Sequence, residues 1–135
     1  MGMCAAREAL GTKTEIVGVV SAHARAQYDS FARREVVVSP ARTRLADGMA
    51  VPTPDACAVA LMCAHVSRIV MVTDDEVAAA IRAVFDDTHN IAEGSGAAGV
   101  AAILQERDGL RGKRVAAVLS GGNVDRAMFA EVLGG

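Results

Sequence analysis

Two periodicities divide the chain. Short apolar runs rich in β-branched residues, at Glu15–Val20, Glu35–Val38, Arg68–Val72 and Lys113–Leu119, predict four strands. The stretches between them predict helices over Met3–Leu10, Ala22–Arg33, Asp55–His65, Gly96–Gln105 and Val124–Leu133. A further helix is announced by Thr73-Asp74-Asp75-Glu76, a capping box in which Thr73 is the N-cap and Glu76 reaches back to it. Val77, Ile81, Val84, Phe85 and Thr88 follow at helical spacing, with Asn90 as the stop. Gly11 suits the C-cap of the first helix. Asp55–His65 is apolar on nearly every side, so burial is predicted for it. Ser39–Pro54 holds all three prolines together with Asp47-Gly48 and reads as loop. Strands alternating with helices predict an α/β fold, a mostly parallel sheet flanked by helices, in one domain over residues 1–135.

Composition sharpens that picture. Hydrophobic residues make up 52% but aromatics only 3%, so the core must be built from Ala, Val, Leu, Ile and Met at short backbone distances. The surplus of small apolar residues is also what a piece of a larger protein would show, because a neighbour would ordinarily cover it. The net charge is −2, and basic residues cluster only as pairs such as Arg33-Arg34 and Lys113-Arg114, which excludes a nucleic-acid-binding stripe. The longest apolar stretch, Ala56–Ala64, is far below the ~18 residues of a membrane span. There is no N-terminal signal pattern. Cys4, Cys57 and Cys63 form no CxxC pair, which predicts a reduced, cytoplasmic chain, with Cys57 and Cys63 as core filler. His23, His65 and His89 lack ligand spacing, so no metal site is predicted.

In parallel sheets ligands bind beyond the carboxyl ends of strands. Leu119-Ser120-Gly121-Gly122-Asn123 is the most unusual of these exits. A hydroxyl follows directly on an apolar strand, and two glycines let the backbone approach whatever lies there. Glu93-Gly94-Ser95-Gly96-Ala97-Ala98-Gly99 contains a formal G-x-G-x-x-G. No strand leads into it and no carboxylate lies about 20 residues later, so a dinucleotide site is rejected. Its small residues serve close packing against a neighbour or under a flat ligand. No Ser-His-Asp order or carboxylate pair stands out.

Five segments, in order, resemble one enzyme family: Glu15–Val19, Leu45-Ala46-Asp47-Gly48-Met49-Ala50-Val51, Val72–Val77, Ala92–Gly99, and Val118-Leu119-Ser120-Gly121-Gly122-Asn123-Val124-Asp125. The family is the pyridoxal-phosphate-dependent threonine/serine dehydratases and serine racemases of fold type II, the tryptophan-synthase-β type. The likeness runs nearly end to end. It begins just after the family's glycine-rich phosphate loop, whose final residues Met1-Gly2-Met3-Cys4 resemble. It implies that this chain corresponds to the C-terminal half of the catalytic domain, with pyridoxal phosphate as cofactor and an amino acid, threonine or serine, as substrate. It further implies a partner in the missing N-terminal half, and it allows a homodimer. Cofactor-binding roles then fall on Ser120, whose hydroxyl would bond the pyridine nitrogen, on Gly121 and Gly122 beside the ring, on the acidic Glu93, and on the backbone at Gly48. A hydroxyl partner does not hold that nitrogen protonated, which weakens the ring as an electron sink. The implied reaction is β-elimination, loss of the Cα proton and then the β-hydroxyl, to a 2-oxo acid and ammonia.

Departures from the family pattern bound this reading. The only lysines, Lys13 and Lys113, precede strands, at the end opposite the expected site, and neither has the family's Ser-x-Lys context. The amine that should hold the cofactor's aldehyde, the Ser-Ser-Gly-Asn substrate loop and most of the phosphate loop are absent, so the chain alone is predicted not to catalyse and no catalytic residue is assigned. The racemase metal positions read Val20 and Ala26, which offer no side-chain oxygen. The competing expectation is a non-catalytic α/β module that binds a small anionic ligand or a partner through the same Ser120 loop.

Overall fold

A computed structural model describes residues 2–135; Met1, the first residue of the stretch likened to the phosphate loop, lies outside the described residues. Gly2-Met3-Cys4 forms the first turn of helix α1 (Gly2–Ala9), which ends at Gly11 in the left-handed region, as the C-cap reading expects. Two strands, β1 (Val17–Ser21) and β2 (Arg68–Val72), pair in parallel, with Val17 opposite Arg68 and Ser21 opposite Val72. The ladder is extended at both ends by bonds from Ser67 N–H to the Ile16 carbonyl and from Ala22 N–H to the Val72 carbonyl. Helices α2 (Ala26–Arg33) and α3 (Ala56–His65) lie on the connection between the strands. After β2 come α4 (Asp74–Thr88), α5 (Gly94–Gln105) and α6 (Arg126–Gly134).

The α/β class with a parallel sheet is what the sequence predicts, but among the described residues the sheet has two strands where the pattern predicts four. Glu35–Val38 does not form one. Arg34 turns left-handed (φ 59°), closing α2, and the Ser30 hydroxyl then accepts from Val37 N–H at 2.9 Å. A local side chain has taken the backbone partner that a neighbouring strand would have supplied. Lys113–Leu119 likewise joins no sheet and is exposed throughout. Helix α2 starts four residues later than predicted because residues 21–24 form a tight turn, with Ala24 N–H bonded to the Ser21 carbonyl. The last helix also starts later, at Arg126.

Helix α3 corrects a second expectation. It is helical, capped by the Asp55 carboxylate accepting from Ala58 N–H at 2.9 Å. Yet only Val59 is buried, Leu61 is 45% exposed, and Cys57 is exposed rather than core filler, while Cys63 is half-buried. Apolarity all round fixed the helix, but the surrounding surface to bury it is not supplied by these residues.

The core sits where α4 and α5 meet β2. Val72, Val77, Ala80 and Ile81 are almost inaccessible, packed with Ala97, Ala98, Ala101 and Ala102 of α5. Alanine lets the two helices approach closely, which is how a chain nearly without aromatics closes its interior. The capping box forms as read: Glu76 N–H donates to the Thr73 hydroxyl at 3.2 Å, and Thr73 N–H to the Glu76 carboxylate at 2.7 Å. Helix α6 docks on α4 through an edge-to-face pair, Phe85 and Phe129, 5.5 Å between centroids, and through Arg82 donating to the Val132 carbonyl.

Candidate functional site

Three loops converge at the start of α5. The first carries Leu45–Gly48 and a single 3-10 turn, Asp47–Met49; the second is Ile91–Gly96; the third is Ser120–Asn123. Glycine at the contacts makes this possible. A Cβ on Gly94 would stand 1.9 Å from the Leu45 carbonyl oxygen, and one on Gly96 would stand 2.6 Å from that of Gly121. A Cβ on Gly121 would meet the Glu93 carboxylate at 2.6 Å, and one on Gly122 the Ile91 carbonyl at 2.6 Å. The small residues first noticed as a failed dinucleotide motif are thus required by backbone-to-backbone packing.

Glu93 holds the second and third loops together. Its N–H donates to the Gly121 carbonyl at 3.0 Å, and its carboxylate accepts from Asn123 N–H at 3.2 Å. It occupies the N-cap position of α5 without using its side chain as a cap, which leaves the carboxylate turned toward the glycines. Gly48, itself exposed, lies over Ser95, where a Cβ would meet the Ser95 hydroxyl at 2.8 Å. Ser120 is exposed at the head of the third loop. Of the five residues singled out from sequence, Glu93 and Gly121 therefore touch directly, and Gly122 lies in the same junction against the Ile91 carbonyl. Gly48 joins them through Ser95, and Ser120 borders them along the chain.

Two further residues of the junction carry no signal in the sequence motifs. The Ser95 hydroxyl is buried and has no hydrogen-bond partner, the only such side-chain atom among the described residues. Its place in the Glu-Gly-Ser-Gly run reads only as small-residue packing. Asp74, in the first turn of α4, also reaches the first loop. The Thr43 hydroxyl donates to it at 2.7 Å and Arg44 N–H at 2.8 Å, while Thr43 in turn accepts from Ala46 N–H at 3.0 Å. Partial burial works against the charged form of Asp74. The bonds from Thr43, Arg44 and Leu45, with His23 nearby, outweigh it and hold the carboxyl below its ordinary value.

A pH dependence follows. A carboxyl whose pKa is depressed in the fold contributes stability that is complete above its unfolded pKa, about 4, and is lost as pH falls through the lower folded value. Glu76 behaves alike: burial pushes it up, but bonds from Thr73 and Gln105 prevail and lower it. The urea midpoint is expected to be lower well below pH 4 than at pH 7. Asp74→Asn should flatten that fall while shifting the midpoint at pH 7, a comparison urea titrations at the two pH values will read.

The lysines are remote from this junction. Lys113 lines a shallow cavity of about 330 Å³ with Arg68, Gln105 and Glu106, at the start of β2, where Arg68 and Glu106 form a bidentate pair at 2.6 and 2.8 Å. Lys13 precedes β1. Among the described residues no three His, Cys, Asp or Glu side chains gather as metal ligands, and no helix is long and apolar enough to cross a membrane.

The junction offers an exposed hydroxyl, glycine backbone free of Cβ atoms, a carboxylate and a buried hydroxyl with unused bonding capacity.

Comparison with known proteins gives the junction a context. The family model described as "Pyridoxal-phosphate dependent enzyme" matches residues 1–121. The L-threonine ammonia-lyase of Thermotoga maritima is 33% identical over 132 residues, 98% of this chain and 33% of that protein. That of Geobacter sulfurreducens is 39% identical over 111 residues, 82% of this chain and 27% of that protein. Among solved structures, the processed form of threonine deaminase isoform 2 from Solanum lycopersicum superposes with a TM-score of 0.88 at 28% identity, covering 97% of this chain and 39% of that one. The chain spans about a third of the length of the curated relatives it matches.

Proposed function

The chain belongs to the pyridoxal-phosphate dependent enzyme family, and from that premise we propose that it is the ring-nitrogen side of a threonine/serine ammonia-lyase site, inactive until joined to the remainder of the catalytic domain. The observation that carries the reading is the junction at Glu93, where the Ser120–Asn123 loop is bonded and packed directly onto the start of α5. The names of the relatives support the reaction class, since both are L-threonine ammonia-lyases.

Each residue has a task in this reading. Ser120 presents a hydroxyl to the pyridine nitrogen, and being neutral it neither demands nor supplies a ring proton. Gly121 and Gly122 let the loop seat closely on Glu93 and Ile91, because side chains there would collide with them. Glu93 anchors the loop through Asn123 N–H. Gly48 adjoins the junction at Ser95, on the loop that Asp74 holds. When bound, pyridoxal phosphate supplies the electron withdrawal that labilises the Cα proton and the β-hydroxyl of a hydroxy amino acid. The amine that must grip its aldehyde is contributed from outside these residues.

The test is spectroscopic. Pyridoxal phosphate added to the chain alone is expected to give no absorbance band dependent on a lysine of the fold, and threonine or serine no 2-oxo acid. A band abolished by Lys13→Ala or Lys113→Ala would overturn the assignment of inactivity. In a complete domain containing this chain, Ser120→Ala should weaken cofactor retention roughly tenfold, the worth of one hydrogen bond. Unchanged retention would remove Ser120 from the site.

A further inference from the structure

We propose that the Ser95 hydroxyl is a ligand donor, held beneath Gly48 to bond an anionic oxygen of the molecule that docks at the junction. This rests on reading the junction as part of an amino-acid lyase site. Two oxygens there share the required chemistry, the phenolic oxygen of pyridoxal phosphate and the carboxylate of the hydroxy amino acid.

The fold has no use for this hydroxyl. Its oxygen is buried without a partner, and a polar group left so costs stability. The fully buried serines behave otherwise: Ser21 accepts from His23 N–H at 3.1 Å, and Ser30 donates to the Ala26 carbonyl at 2.6 Å. Ser95 is the exception, and it stands where the three loops meet. Gly48, exposed and without a side chain, lies over it; a Cβ there would be 2.8 Å from the hydroxyl oxygen and 3.2 Å from the Ser95 Cβ. Ser95 as a residue is only half-buried, so a turn about χ1 redirects the hydroxyl without moving the backbone. A group kept at a cost to the free fold is characteristic of a binding residue.

The start of α5 favours negative charge at this spot. Asp55 and Thr73 cap the first turns of α3 and α4, whereas Glu93 at the N-cap of α5 makes no side-chain cap bond. Among the described residues the N–H groups of Gly94, Ser95 and Gly96 have no partner, and both glycines are buried. Uncapped N–H groups at a helix start, with the aligned peptide dipoles behind them, attract an anionic oxygen. The Glu93 carboxylate opposes one, but it is turned onto the third loop, where it accepts from Asn123 N–H at 3.2 Å and lies against Gly121. Ser95 adds to this turn the one donor that can swing toward a docked molecule.

Ser95→Ala tells a ligand donor from a packing defect by the sign of two effects. In the chain alone the urea midpoint should rise by about 1 M, where the helix preference of alanine by itself gives about 0.3 M. In a complete domain containing this chain, the same substitution should weaken one of two bindings roughly tenfold. Equilibrium dialysis of pyridoxal phosphate reads the first, and lost retention assigns the phenolic oxygen. The KM for L-threonine at saturating cofactor reads the second, and a raised KM with kcat nearly unchanged assigns the carboxylate. Two results overturn the proposal. One is a midpoint that falls or rises by no more than about 0.3 M, since the hydroxyl then has a partner in the fold or in an enclosed water. The other is a raised midpoint with retention and KM both unchanged. A Ser95 effect on dialysis in a domain that releases no ammonia would sink the lyase reading and leave this one standing; a working lyase indifferent to Ser95 does the reverse.

Discussion

Gly94→Ala is expected to destabilise the chain by about 3 kcal/mol, at the upper end of what overpacking a close contact costs. The added Cβ would lie 1.9 Å from the Leu45 carbonyl oxygen, 2.5 Å from its carbon and 3.1 Å from the Ala46 nitrogen. All three are backbone atoms, so no rotamer change relieves the clash. The first loop or the start of α5 must shift, and either movement disturbs the bonds that Asp74 makes to Thr43 and Arg44. Thermal unfolding should show a loss of roughly 10 °C, scaled from the entropy of a domain this size. Gly134→Ala is the control, since nothing lies within 4 Å of a Cβ there; a similar loss in both would mean the clash is not the cause.

Ile81→Ala should cost a comparable amount by the opposite route, about 3–4 kcal/mol from lost apolar burial and a residual cavity. Ile81 is 2% exposed, at the centre of the cluster formed by Val77, Val84, Val72 and the α5 alanines. Its neighbours are short and already close, so little can move inward to fill the gap. Domains are typically stable by only 5–15 kcal/mol, and this one leaves α3 and Val115–Leu119 uncovered. The denaturant midpoint should drop steeply with an unchanged slope. A loss below about 1 kcal/mol would show that α4 and α5 close over the site more freely than their packing suggests.

How far the sequence discloses all this depends on where each residue's partner lies. The Thr73–Glu76 box was legible because both partners sit within one turn. β1 and β2 were legible because the apolar run of each packs onto one common core cluster. Glu35–Val38 has strand composition but is captured by Ser30, a hydroxyl seven residues from its partner, which no periodicity reveals. Lys113–Leu119 has the right pattern with no neighbour among these residues, so its conformation could not be inferred from its own composition. Helix α3 makes the same point for burial: hydropathy predicts what would prefer to be covered, not whether a cover exists.

At the junction, Glu93 and Gly121, both named by the motif resemblance, touch through close approach of the two loops. Asp74 and Ser95 were missed for a physical reason. The bond from Thr43 spans 31 positions, and Ser95 is defined by a bond it does not make. Spacing along the chain encodes neither.

Asp74 also separates two properties that usually travel together. It opens α4, one of the most firmly seated helices, and at the same time clasps the strip that leads to Gly48. That strip faces water, yet it inherits the stiffness of the helix behind it. A ligand arriving at Gly48 would meet a wall already in shape, and little conformational freedom would be forfeited on that flank when it docks.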